Sequence, residues 1–352
     1  MPSNSHEQRK LDHLRICTEQ DVGSPGATTG LESYRLLHNA VPELDLRRIT
    51  LATQFLGKSL EAPLLISAIT GGTPQARLIN LNLAQAAQAH GIAMSVGSQR
   101  AAIEDPGQAP TYEVRSVAPD VLLFANLGAV QLNYGYGLDE CRQAVRMIGA
   151  DALILHLNPL QEALQPGGNT NFEGLLQKIA AVCRGLEVPV IAKEVGWGLS
   201  EPVARMLVEA GVAVLDVAGA GGTSWSEVEK HRAANTLQHR VAAHFSSWGI
   251  PTADAIRQAR RAAPSVPIIA SGGIRTGPEA AVALALGADL VGLAAPLLAP
   301  ATVSAQAVED ELQVLVQVLR IAMFAAGLPD IPSLKATRLE PVAQPRAHAE
   351  KE

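Results

Sequence analysis

Eight short apolar runs, each separated from the next by a stretch of different periodicity, constrain this chain of 352 residues more than any other feature. They centre on Leu64–Ile69, Ile92–Val96, Val121–Ala125, Leu153–Leu157, Val190–Lys193, Ala213–Val217, Pro267–Ala270 and Leu290–Leu293. Between most of them, apolar residues recur at three- and four-residue spacing, as on one face of a helix. The clearest such segment runs from Ala76 to His90, with Ile79, Leu83, Ala86 and Ala87 on one stripe. Others are 140–148, 172–183, 201–210, 253–263 and 278–286; the segment between the second and third runs is the least helical. Gly91, Gly149, Gly211 and Gly287 stand where helices should stop before the next strand.

Strands alternating with helices imply parallel βαβ units, and eight units close into a barrel with both sheet faces covered. The expected fold is α/β, a (β/α)8 TIM barrel over residues 61–330. Residues 1–60 form an N-terminal extension that contributes to the substrate site, and 331–352 a mobile tail. A doubly wound sheet would want G-x-G-x-x-G after its first strand, and Thr70-Gly71-Gly72-Thr73 does not supply it. The connection from Ala218 to Pro251 is too long for a plain link and reads as a functional loop or lid with a short helix of its own.

Composition narrows the function. Aromatics are 3% of the chain, so a ligand must be held mainly by backbone and small residues. With a net charge of −6 and no basic stripe, nucleic-acid and anionic-membrane binding are disfavoured. Cys17, Cys141 and Cys183 are scattered, which points to a reducing compartment, the cytoplasm. The polar start MPSNSHEQRK is no signal peptide. The longest apolar stretch, 290–303, is too short for a membrane span, is broken by Pro296 and Pro300, and reads as a buried strand plus loop.

In such barrels the chemistry sits at the C-terminal strand ends. Polar or glycine-rich residues follow nearly every run: Ala68, Ile69 and Thr70; Ser98, Gln99 and Arg100; Asn126; His156, Asn158, Gln161 and Glu162; Lys193 and Glu194; Gly219–Trp225; Ser271–Arg275; Ala294 and Ala295. The glycines after the seventh and eighth runs suit a phosphate cup, where N–H groups and a helix N-terminus face the anion. Lys193 suits an anion or an electron-rich ring. Glu162 with neighbouring amides suits Mg²⁺, which takes hard oxygen ligands and shares them with substrate phosphates. Arg9, Lys10 and His13 form a small basic knot in the extension. Gly57-Lys58-Ser59 lacks the earlier glycine of a P-loop, and no hydrolase or zinc-protease motif is present.

These residues resemble the type 2 isopentenyl-diphosphate isomerases, which are FMN-dependent barrel enzymes. The matching stretches are Arg9-Lys10 with His13, 69–72, VGSQRAA at 96–102, 126–128, HLNPLQE at 156–162, 193–196, DVAGAGGTSW at 216–225, Trp248-Gly249 and SGGIR at 271–275. The similarity covers about residues 8 to 330. Two departures are Ile69, where the family often has Met, and Ala218, where some members have Ser; a hydroxyl contact to FMN from 218 is therefore missing.

The resemblance implies interconversion of isopentenyl and dimethylallyl diphosphate, a 1,3-allylic proton shift, with reduced FMN, Mg²⁺ and NADPH as the reductant. It implies FMN contacts from Ala68, Ile69, Thr70, Ser98, Asn126, Lys193, Thr223, Gly272, Gly273, Ile274, Ala294 and Ala295. Substrate would be bound by Arg9, Lys10, Ser98, Gln99, Arg100 and Gln161, and Mg²⁺ by Glu162. Gln161, His156 and Asn158 would serve the catalytic site, and Trp225 would exclude water. A homo-oligomer, tetramer or octamer, is also implied. The alternatives are an FMN-dependent oxidoreductase of the 2-hydroxy-acid oxidase or dihydroorotate dehydrogenase type, and a non-catalytic flavin-binding protein.

Overall fold

A computed structural model describes residues 3–342. The chain opens with helix α1 (Ser3–Glu19), a short strand β1 (Tyr34–Arg35), and a hairpin of β2 (Thr53–Phe55) and β3 (Lys58–Leu60). Gly57 makes the hairpin turn with φ 80°, which explains the glycine before Lys58 without any phosphate role. Then follow β4 (Leu64–Ile66), α2 (Pro74–His90), β5 (Ala93–Ser95), α3 (Arg100–Glu104), β6 (Leu123–Gly128), α4 (Leu138–Ile148), β7 (Ala152–Leu157), α5 (Pro159–Leu164), α6 (Leu175–Gly185), β8 (Val190–Glu194), α7 (Glu201–Glu209) and β9 (Val214–Asp216). The second half continues with α8 (Trp225–Arg232), α9 (Thr236–Ala243), α10 (Thr252–Ala262), β10 (Ile268–Ala270), α11 (Gly277–Ala285), β11 (Leu290–Leu293), α12 (Ala295–Val303), α13 (Ala305–Ala325), α14 (Ile331–Ala336) and β12 (Glu340–Pro341).

Strands β4 to β11 are parallel neighbours and close into a barrel, the (β/α)8 TIM fold. Each of the eight apolar runs supplies one strand. The run at 290–303 is a strand followed by helix rather than loop, because Pro296 falls in the first turn of α12, where its missing N–H costs nothing. The long connection after β9 carries two helices, α8 and α9. The tail expected to be mobile from 331 is ordered at its start. Asp330 caps α14 through a 2.8 Å bond to the Ser333 N–H, Leu334 is fully buried, and β12 pairs antiparallel with β1. Residues 343–352 of that tail lie outside the described residues.

Two apolar clusters divide the core. The larger lies between strands and helices, from Leu64 and Ile66 to Leu319 and Met323. The smaller fills the barrel interior with Leu65, Ala93, Phe124, Ile154, Ile191, Val214, Ile269 and Leu290, and the β2–β3 hairpin closes it from below with Phe55 and Leu60. The floor is therefore sealed and only the opposite end can admit a ligand.

The N-terminal rim holds two matched clamps. Arg115 donates to the carbonyls of Ala118, Pro119, Val121 and Gly149 and to Asp151, whose Oδ2 also accepts the Leu123 N–H. Arg260 donates to Ala263, Pro264, Val266 and Gly287 and to Asp289, whose Oδ2 accepts the Ile268 N–H. The second oxygen of each carboxylate meets a lysine, Lys58 at one and Lys335 at the other. One clamp ties the third and fourth barrel strands and the other the seventh and eighth, so the barrel carries the same device twice, half a turn apart. The sequence repeats with it: Ala-Pro follows each arginine by three residues, and Gly-Ala-Asp recurs at 149–151 and 287–289.

Candidate active site

At the open end, the inward position two residues beyond the apolar interior becomes polar in every strand but one. Above Leu65, Ala93, Phe124, Ile154, Ile191, Val214, Ile269 and Leu290 stand Ser67, Ser95, Asn126, His156, Lys193, Asp216, Ser271 and Gly292. Strand alternation puts both sets on the barrel interior. Six of them, Ser67, Asn126, His156, Lys193, Ser271 and Gly292, line the floor of a cavity of about 630 Å³, while Ser95 and Asp216 do not line it. His156, Lys193 and Asp216 are register partners across β7, β8 and β9 and so lie in one row. Burial, helped by Lys193, pushes His156 down to about 4, so its ring is neutral near pH 7. Its Nδ1 lies 2.8 Å from Asn126 Oδ1 and carries the proton in that bond. Glu194 is turned out of the cavity. Its Oε2 accepts the N–H groups of Val195, Gly196, Trp197 and Gly198, and burial still raises it to about 7.

One wall is a backbone cup. Gly272 and Gly273 have φ of 103° and 78°, in the left-handed region that favours glycine. The Gly219–Gly222 loop presses on them: a Cβ at Gly272 would lie 2.1 Å from the Gly219 carbonyl oxygen. Ile274, Ala294 and Ala295 continue the cup, and α12 starts there with Ala294 at its N-cap and no side chain bonded to its first N–H groups. That uncapped helix end, beside two close-packed glycines, fits the phosphate of a flavin nucleotide. Ala68, Ile69, Thr70, Ser98, Asn126, Lys193 and Thr223 line the adjoining cavity. Ala218, also on the wall, is held at φ 36°, a strained value for a residue with a Cβ.

The opposite wall is cationic and comes from the extension. Helix α1 brings Arg9, Lys10 and His13 to the mouth. Lys10 Nζ donates to Tyr112 Oη at 2.6 Å and to the Ser98 carbonyl at 3.3 Å, and the tyrosine hydroxyl donates to the same carbonyl at 2.7 Å. Burial, with Arg9 nearby, lowers Lys10 to about 7. Arg9 reaches Gln165 Oε1 at 3.4 Å. His13 Nε2 lies 3.1 Å from Glu229 Oε1 and packs edge-on to Trp225, while Glu229 Oε2 accepts from Arg232 at 2.6 Å. Those contacts fasten α1 to α8. Arg100, paired with Glu104, adds a third cation to the wall.

Between the walls lies Glu162, 7% exposed. Its Oε1 accepts from Asn158 Nδ2 at 3.0 Å, and its Oε2 from Gln165 Nε2 at 2.6 Å and the Asn169 N–H at 2.5 Å. Asn158 Nδ2 also donates to Gln161 Oε1 at 3.1 Å, while Asn158 Oδ1 is buried without a partner. Three donors fix one carboxylate and an amide oxygen stands free beside it. This donor set fits a Mg²⁺ that completes its shell with water and substrate phosphate, since among the described residues no three His, Cys, Asp or Glu side chains gather for an all-protein site.

The cavity thus brings together every site residue expected from the sequence except Gln99. Gln99 is fully buried and faces away: its Nε2 donates to the Ala144 carbonyl and its Oε1 accepts the Asn126 N–H. Its side chain braces β6 against α4 and does not line the cavity. Sequence reasoning missed Tyr112, Gln165, Glu229 and Asp216. Asp216 opens DVAGAGGTSW and could have been found from the polar step at the end of its run; Tyr112 caps a 3-10 segment with no periodic signal.

Comparisons with known proteins identify the family. The FMN-dependent dehydrogenase family model matches residues 162–341. A protein named isopentenyl-diphosphate delta-isomerase from Nostoc sp. (strain PCC 7120) is 54% identical over 329 residues, 94% of each chain. Proteins of the same name from Stutzerimonas stutzeri and Rickettsia bellii are 53% and 49% identical, covering 96% and 94% of this chain and 98% and 97% of their own. Among solved structures, a lactate oxidase from Pediococcus acidilactici superposes with a TM-score of 0.68 at 19% identity, covering 97% of this chain and 94% of its own. A mandelate oxidase superposes with a TM-score of 0.64 at 17% identity over 97% of each chain. These two show the fold alone. The chain belongs to the type 2, FMN-dependent isopentenyl-diphosphate delta-isomerase family.

Proposed function

We propose that the chain interconverts isopentenyl and dimethylallyl diphosphate, using reduced FMN and Mg²⁺. Isomerase activity follows from family membership. The observation that carries the fuller reading is that one cavity has two separate walls whose chemistry suits anions. The backbone cup at Gly272, Gly273 and Ala295 suits the cofactor's phosphate. The Arg9, Lys10 and Arg100 wall, beside Glu162, suits a diphosphate and its metal.

When bound, reduced FMN supplies an acid–base atom and an electron-rich ring opposite a developing tertiary cation. The chain's own residues do the rest. Arg9, Lys10, Ser98 and Arg100 would hold the diphosphate, and Glu162 would hold the Mg²⁺ that neutralises it. Gln161, fixed by Asn158, faces the five-carbon chain. His156 is neutral and orients Asn126 rather than acting as a strong base. Trp225 and His13 close the mouth against water, which would quench a carbocation. NADPH as reductant, a cytoplasmic location and a homo-oligomer of four or eight chains complete the proposal. Among the described residues, no helix is long and apolar enough to cross a membrane.

The competing oxidoreductase reading wants a His or Cys base beside the flavin, and His156, the one residue of those types in the row, is pushed down to about 4. The test is anaerobic incubation of the dithionite-reduced holoenzyme with isopentenyl diphosphate and Mg²⁺, followed by product identification. Dimethylallyl diphosphate with no net change in flavin absorbance is expected. No product, together with bleaching of oxidised flavin by a 2-hydroxy acid, would establish the oxidoreductase.

A further inference from the structure

Asp216 stands behind Lys193. It does not line the cavity and its side chain is fully buried. Oδ1 accepts from Ser271 Oγ at 2.6 Å, while Oδ2 has no hydrogen-bond partner and has Lys193 Nζ at 3.9 Å. The ammonium itself donates to the Glu194 carbonyl oxygen at 2.7 Å. A neutral Asn could accept from the Ser271 hydroxyl and the Ala218 N–H equally well, so neither explains a carboxylate here. Burial pushes Asp216 up, and the charge of Lys193 is the foremost effect opposing it. The other titratable groups around Lys193 do not supply a counter-charge inside the barrel. His156 is uncharged, and the Glu194 carboxylate is turned into the amides of 195–198.

We propose that Asp216 is a positioning residue for Lys193, its carboxylate acting as the fixed counter-charge that holds the ammonium on the cavity wall and limits the positive field reaching the flavin ring. This rests on the reading that FMN occupies the cavity in both redox states. Oxidised FMN has a neutral ring, and the reduced ring is readily anionic. A wall more positive by one charge therefore favours the reduced form.

The test compares dissociation constants of oxidised and reduced FMN, the latter measured anaerobically, for the wild type, Asp216→Asn and Lys193→Met. Asp216→Asn is expected to shift the oxidised-to-reduced ratio about tenfold toward tighter reduced FMN, and Lys193→Met to shift it the other way. A merely structural role would weaken both forms together and leave the ratio unchanged, and that result overturns the proposal. Should Asp216→Asn fail to fold, Ser271→Ala removes a bond that favours the charged carboxylate. Its ratio should move the same way, and an unmoved ratio is again contrary. If the wild type binds FMN in neither state, the functional reading falls and this inference with it. If the wild type binds both and only the variant's ratio stays fixed, the inference alone falls.

Discussion

Lys10 Nζ sits 2.6 Å from the hydroxyl of Tyr112, a side chain with no exposed surface, 102 residues further along the chain. The pair joins the N-terminal helix to the segment between the second and third barrel strands. It also aims the ammonium at the cavity rather than at solvent. Tyr112→Phe removes the acceptor but keeps the ring beneath the lysine, 5.3 Å from the ammonium to its centroid. KM for isopentenyl diphosphate should rise about tenfold with kcat within a factor of two, the signature of lost ground-state binding. Steady-state kinetics of the reduced enzyme check this; an equal fall in kcat at unchanged KM would contradict it.

The same lysine gives substrate binding a pH dependence. Burial holds Lys10 at about 7 in the free protein, well below its ordinary 10.5. An anionic ligand favours the charged form and raises that value in the complex. Affinity for the diphosphate is then greatest below pH 7 and falls as pH rises from 7 toward the value in the complex. KM measured from pH 6 to 9 should climb across this window, and in Lys10→Met the climb should be absent.

Glu162→Gln keeps the shape but replaces an acceptor-only group with an amide. Asn158 Nδ2, now on Oε1, then competes with Gln165 Nε2 and the Asn169 N–H, now on Oε2, for one remaining oxygen. The reduced variant should lose about a hundredfold or more in kcat/KM, and saturation should need far more Mg²⁺. Flavin binding, through the opposite wall, should be unchanged. Metal titrations of rate and of FMN fluorescence separate the two effects.

The rim clamps are set far from the chemistry. Burial pushes Asp151 up, but the Leu123 N–H and Lys58 outweigh it and hold it below its ordinary value. Its stabilising contribution is therefore present above 3.8 and is lost as pH falls below that value. Asp151→Asn and Asp289→Asn should each destabilise by about 1–3 kcal/mol in denaturant melts with kcat/KM unaltered. Their effects should add, since the clamps tie different strand pairs. A silent pair of variants would show that the repeat is only decorative.

The fastening of α1 to α8 predicts ordering. Substrate with reduced FMN should protect the peptide bonds of α1, within residues 1–20, from limited proteolysis. Glu229→Gln, which weakens the contact to His13, should reduce that protection. Identical cleavage with and without ligand would argue against a closing helix.

The barrel was legible because parallel strands buried on both faces must read as continuous apolar runs, and all eight did. The cofactor cup was legible because close backbone packing admits only glycine at 272 and 273. What the sequence hid was side-chain direction. Gln99 sits inside a matching motif, yet its position at the start of α3 turns the amide toward Asn126 and Ala144. Tyr112 and Glu229 act through contacts across 102 and 216 residues of chain, which no local pattern records. The tail beyond 331 looked mobile by composition, but its pairing with β1 depends on a distant partner.

The central claim, that a reduced flavin held at the barrel mouth is needed for the proton shift, is tested most directly by stripping FMN and following isopentenyl diphosphate by NMR. The stripped protein with Mg²⁺ should be inactive, and FMN with dithionite should restore turnover while FMN alone restores little. Interconversion of the two diphosphates by the stripped protein at the holoenzyme's rate would contradict the account.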